Sequence, residues 1–68
     1  MELKISDMIK QYRCAHLLTQ KQLGEQLHIS PQSISKWELG IAYPDITMLP
    51  RLAMLLGCTT DDFFENNI

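Results

Sequence analysis

The chain has 68 residues, 46% of them hydrophobic and 21% charged, a composition that suits one small folded unit and excludes a disordered tail. A formal net charge of −2 denies it the uniformly basic surface on which most nucleic-acid binders rely, and two cysteines, Cys14 and Cys58, are too few for a disulfide scaffold. A unit this small buries only about 60% of the surface its unfolded chain exposes, so self-association is the natural supplement to its stability.

Residues 1–68 read as a single all-α domain of five helices. Met1–Lys10 alternates charged with apolar residues, which fits neither a signal sequence nor a membrane span. The expected location is the cytoplasm, with both thiols reduced. The first helix runs from about Ile5 to His16, with Ile5, Ile9 and Tyr12 on one face. The second begins at a capping box, Thr19 with Gln22, flanked by Leu18 and Leu23 at the two staple positions, and extends to about Leu27. The third begins at Ser30, with Ile29 and Ile34 as the staple and Pro31 at the favoured first position. It ends near Glu38, before Gly40, a left-handed stop. Gly40–Asp45 is a turn-rich loop. A fourth helix, capped by Thr47, tolerates Pro50 in its first turn, turns Leu49, Leu52, Ala53 and Leu56 inward, and closes at Gly57. Thr59 with Asp62, flanked by Cys58 and Phe63, starts a short fifth helix from about Thr60 to Asn66.

The second and third helices are joined by only His28, Ile29 and Ser30. Two short amphipathic helices on a three-residue turn are the layout of a helix-turn-helix, here about residues 19–38, although an ordinary helical hairpin has the same spacing. The third helix bears on the choice. At about 100° per residue, Ile34 and Trp37 share one side, Gln32 and Lys36 lie opposite, and Ser33, Ser35 and Leu39 flank them. Glutamine pairs bidentately with adenine, lysine reaches guanine or a phosphate, and serine serves either base. A merely solvated face would more often mix Glu with Lys. Three of the eight acids, Asp61, Asp62 and Glu65, fall at the C-terminus, away from these helices.

Leu18–Gly24, then Ile29–Gly40, then Tyr43-Pro44, Leu52-Ala53, Leu56-Gly57 and the segment Thr59–Phe64 together closely resemble the phage repressor/Cro-like helix-turn-helix family of bacterial transcriptional regulators. The resemblance covers nearly the whole chain. It implies a compact five-helix, lambda-repressor-like domain that binds double-stranded DNA. It further implies that Gln20 clamps a phosphate at the start of the second helix, where free amides and the positive dipole end also point. Pro31, Gln32, Ser35 and Lys36 match positions facing base edges or the adjacent backbone, with Ser33 beside them. Thr19, Lys21, Ser30 and Tyr43 complete the expected phosphate contacts. Arg13 and Glu38 match a partly buried ion pair joining the first helix to the third, whose loss would cost about 3–5 kcal/mol if fully buried.

The departures from that pattern are informative. Leu17 and His28 stand at bends where the family often has glycine, and a non-glycine residue in a left-handed bend costs about 1 kcal/mol. Gly24 replaces a usual alanine, which lets the second and third helices approach closely. Gly40-Ile41-Ala42-Tyr43 lacks the basic residues that many relatives carry.

The expected activity is operator binding without chemistry, most simply as a repressor. The expected partner besides DNA is a second copy, through Met54, Phe64 and Ile68. No enzyme motif, metal-ligand spacing, cofactor, small-molecule ligand or membrane contact is expected. A protein-interaction module, antitoxin-like or an adaptor, that keeps the fold without reading DNA is the alternative left open by the acidic balance.

Overall fold

A computed structural model describes residues 2–65. Four α-helices carry the fold: α1 (Ile5–Ala15), α2 (Gln20–Leu27), α3 (Pro31–Leu39) and α4 (Leu49–Leu56). Their starts come from side-chain chemistry. The Thr19 hydroxyl accepts from the Gln22 amide at 3.0 Å while Gln22 Oε1 accepts from the Thr19 amide at 2.8 Å, a complete capping box for α2. Ser30 Oγ accepts from the Ser33 amide at 3.2 Å, and Pro31 opens α3 where no amide partner is needed.

One core holds the helices together. Ile5 and Ile9 of α1, Leu23 and Leu27 of α2, Ile34 and Trp37 of α3, Leu52 and Ala53 of α4, and Phe63 are all buried. Each helix thus contributes a pair at i,i+1, i,i+3 or i,i+4 spacing, so every helix is held by one apolar stripe. Tyr12, Leu18, Ile29, Leu49 and Leu56 pack at its margin. Gly24 is buried against the turn that joins α2 to α3. A Cβ there would come within 2.3 Å of the Ile29 carbonyl oxygen. At this position it is therefore the backbone of the turn that closes on α2.

Two expectations need correction. The cap before α4 is Asp45, not Thr47: Asp45 Oδ1 accepts from the Thr47 amide at 3.2 Å and opens a 3-10 turn, Ile46–Met48, that leads into α4. Pro50 lies in the first turn of α4 and displaces no helical hydrogen bond. The fifth helix is reduced to a second 3-10 turn, Thr60–Phe63, so the described residues hold four α-helices. Phe64 is extended, at φ −116 and ψ 138. Strand β2 (Phe64–Glu65) pairs antiparallel with β1 (Glu2–Leu3), and the Lys4 amide donates to the Phe63 carbonyl at 2.7 Å. A four-residue turn has too few bonds to propagate as a helix, and the strand pairing takes the backbone groups that a longer one would need. Ile68 and Asn66, the last residue of the expected fifth helix, lie outside the described residues.

Candidate nucleic-acid interface

Helix α3 has two faces. Ile34 and Trp37 fix the inner one in the core. On the outer one, Gln32, Ser35, Lys36 and Leu39 succeed one another at i, i+3, i+4 and i+7, the spacing that aligns side chains into a single stripe. Gln32 and Lys36 are exposed and Ser35 is half-buried. With Gln20, Pro31 and Ile41 these residues line one shallow, open groove along the outside of the α2–α3 unit.

A side-chain network holds that groove from behind. Arg13 Nε donates to Glu38 Oε2 at 2.6 Å and Arg13 Nη2 donates to Glu38 Oε1 at 3.0 Å, a bidentate pair between α1 and α3. The third arm of the guanidinium, Nη1, donates to the Leu18 carbonyl at 3.0 Å, so the same residue also ties down the chain entering α2. Gln20 Nε2 donates to Glu38 Oε1 at 3.4 Å, which links the first residue of α2 to the pair. The Glu38 side chain is only 5% exposed. Burial works to raise its pKa, but the hydrogen bonds from Arg13 and Gln20 and the Arg13 charge outweigh this and hold the carboxyl below its ordinary value. The bond to Glu38 likewise raises the Arg13 guanidinium. Glu38 is thereby neutralised behind the groove, and Lys36 is the charged side chain that lines it.

Not every residue singled out in the sequence meets at this groove. The hydroxyls of Ser30 and Ser33 lie 3.1 Å apart and bond to each other at the start of α3. Thr19 is engaged in its capping box, and Lys21 is exposed on the first turn of α2. Tyr43 is half-exposed and lines a different, apolar pocket with Ile5, Pro44, Ile46, Leu49, Phe63 and Phe64. Met54 is 84% exposed and belongs to a third groove with Gln26, Leu27, Arg51 and Leu55. Met54 and Phe64 therefore occupy separate surfaces. Sequence reasoning missed Ile41, whose place in the groove is set when the chain reverses after α3 and the Ile41 amide donates to the Lys36 carbonyl at 3.1 Å. It also missed Arg51, which donates from Nη2 to the Leu27 carbonyl at 3.2 Å across 24 residues of chain. No local pattern announces either contact.

The helix-turn-helix family profile matches residues 9–63. The chain belongs to the helix-turn-helix family of transcriptional regulators. Among its relatives is the HTH-type transcriptional activator BcrR of Enterococcus faecalis, 37% identical over 63 residues that cover 93% of this chain and 31% of that protein. The chain thus spans about a third of this relative's length. The P22 c2 repressor in complex with a synthetic operator superposes with a TM-score of 0.80 at 25% identity, covering 98% of this chain and all of that one. PlcR of Bacillus thuringiensis, in complex with the peptide PapR7 and DNA, superposes with a TM-score of 0.73 at 34% identity, over 91% of this chain and 22% of that one. The fold is thus that of lambda-repressor-like domains. Among the described residues no helix is long and apolar enough to cross a membrane.

Proposed function

We propose that the chain is a sequence-specific DNA-binding module that seats α3 in the major groove and regulates transcription by occupying an operator. The observation that carries this is the unbroken polar stripe Gln32–Ser35–Lys36, open to solvent and held from behind by Arg13, Glu38 and Gln20. Gln32 and Lys36 read base edges, with Ser35, Ser33 and Pro31 in support. Gln20, Thr19, Lys21, Ser30 and Tyr43 meet phosphates, and these contacts set register without specifying sequence. The free second hydrogen of the Gln20 amide is the donor aimed at a phosphate, since the first is engaged by Glu38. The operator complex of the P22 c2 repressor and the DNA complex of PlcR support double-stranded DNA as the partner.

A face with so little positive charge binds weakly on its own, and a homodimer doubles its phosphate contacts. Met54, with Phe64 and Ile68 as further candidates, supplies apolar surface for such a dimer. It would present two recognition helices about 34 Å apart to a palindromic site. Binding of this kind in the cytoplasm represses by occlusion and needs no cofactor.

The test is selection of duplexes from a random pool at two salt concentrations, then the same selection with the Gln32→Ala/Lys36→Ala double variant. Wild type should enrich a palindromic sequence. The double variant should lose discrimination by about 30-fold or more, at about 1–3 kcal/mol for each of the two base contacts, while keeping residual salt-sensitive binding. Enrichment and specificity unchanged in the double variant would sink the assignment of α3 as the reading helix.

A further inference from the structure

The stripe on α3 does not end at Lys36. Its next position is Leu39, 70% exposed, and beside it in the same groove stands Ile41, 69% exposed. A single exposed apolar residue is ordinary on any surface. Two large ones, adjoining the polar stripe inside one groove, form a patch at the very face that meets DNA. Neither side chain can donate or accept a hydrogen bond, and neither can neutralise a phosphate. The one feature of a base edge in the major groove that an aliphatic side chain recognises is the C5-methyl group of thymine. Leu39 lies seven residues beyond Gln32, about 10 Å along the helix at 1.5 Å per residue, which is far enough to address a different base pair.

We propose that Leu39 and Ile41 form a methyl-reading pair that selects thymine at the base pairs next to those addressed by Gln32 and Lys36. The pair supplies what the loop after α3 lacks in charge: Gly40–Tyr43 carries no basic residue, and its contribution becomes selectivity in place of phosphate affinity. The inference rests on the major-groove reading above and deepens it.

The experiment uses the full chain and the duplex selected from the random pool, with each thymine replaced in turn by deoxyuracil, which removes only the methyl. Wild type should lose about fourfold in affinity at one or two thymines, the amount expected for one buried methyl. The Leu39→Ala/Ile41→Ala variant should bind the thymine and deoxyuracil duplexes equally, with an unchanged melting temperature because both side chains are exposed. Replacing a sensitive thymine by cytosine should weaken wild-type binding, and 5-methylcytosine should restore the methyl share of that loss. Equal binding of thymine and deoxyuracil duplexes by wild type would overturn the proposal. So would full methyl sensitivity retained in the double variant, or an alanine effect confined to self-association, which would make the patch a protein contact. Failure to enrich any duplex removes the major-groove reading and this inference together. Enrichment without a methyl effect removes only the inference.

Discussion

All four helices end through a left-handed residue, and the two joints that precede α3 differ from the two that come after it. The hydrogen-bond pattern is the same in all four. An amide five residues on returns to the helix: Leu18 to Arg13, Ile29 to Gly24, Ile41 to Lys36 and Cys58 to Ala53, at 2.7–3.1 Å. This is the closure that glycine makes easy. The two later joints use it at Gly40 and Gly57, with φ of 73 and 72. The two earlier joints place Leu17 and His28 there instead, with φ of 55 and 58. Both of those strained joints are reinforced by an arginine: Arg13 donates to the Leu18 carbonyl and Arg51 to the Leu27 carbonyl. Glycine allows a bend, whereas an arginine anchored on another helix can impose one. The joints that aim α3 are therefore held by tertiary contacts, and the network around Glu38 orders the scaffold as well as the groove.

The largest test breaks the first arginine-held joint. Glu38→Ala removes the bidentate partner of Arg13 and leaves a guanidinium that is only 18% exposed without its counter-charge. A fully buried pair broken on one side costs about 3–5 kcal/mol; for this partly buried one the expected loss is about 2–4 kcal/mol in denaturant unfolding. Hydrogen exchange should accelerate at the Leu17 and Leu18 amides more than at Ile41. Equal acceleration at the two joints would show that the network does not favour the earlier one.

Acid probes the same contact more gently. The folded state holds the Glu38 carboxyl below its ordinary value of 4.5, so the folded protein binds that proton less readily than the unfolded chain does. The contribution of Glu38 is complete above 4.5 and is lost as pH falls through the lower folded value. Wild type should therefore lose stability below pH 4.5 more steeply than Glu38→Gln, by no more than the Glu38→Ala loss. Parallel pH profiles for the two proteins would remove Glu38 as the cause.

Gly57→Ala tests a joint that has no arginine. Nothing lies within 4 Å of where its Cβ would stand, so the substitution isolates the backbone effect. An alanine held at positive φ should cost about 1–2 kcal/mol in thermal unfolding. A neutral result would mean that this joint, too, tolerates a side chain without help.

How much of this was legible in the sequence depends on what kind of contact built each part. The starts of α2 and α3 are written in Thr19, Gln22, Ser30 and Pro31, because caps act within three residues of themselves. The buried pairs reflect the helical period. The last helix misled because Thr59 and Asp62 do close a turn, the Thr59 amide donating to Asp62 Oδ2 at 2.9 Å, but the path of the chain beyond that turn is decided by β1, from the other end of the sequence. Asp45 and Thr47 are both good caps, and only the extra 3-10 turn gives the role to Asp45. Of the groove, the stripe from Gln32 to Leu39 could be read from period alone, whereas Ile41 enters it through a chain reversal that leaves no periodic mark. Leu17 and His28 stood out as residues where glycine was expected, but what holds those bends lies elsewhere in the chain: Arg51 comes from α4, and Arg13, although on α1 itself, is anchored by Glu38 of α3.

The smallest effect is the sharpest discriminator between the two kinds of joint. Leu17 is 90% exposed, so its side chain contributes little burial, yet its Cβ sits in a left-handed bend. Leu17→Gly relieves about 1–2 kcal/mol of backbone strain and gives back about 0.5–1 kcal/mol to the greater freedom of the unfolded chain, a net gain of about 0.5–1 kcal/mol. In a domain of this size that raises Tm by about 2–8 °C. Leu17→Ala keeps the Cβ and should leave Tm nearly unchanged, which separates strain from side-chain contacts. If Arg13 imposes the bend on Leu17, the gain from glycine should shrink in the Glu38→Ala background, where the guanidinium has lost its anchor and the joint is free to relax out of the strained conformation. A glycine gain that is the same in both backgrounds would mean that the bend is local in origin and that the arginine only accompanies it.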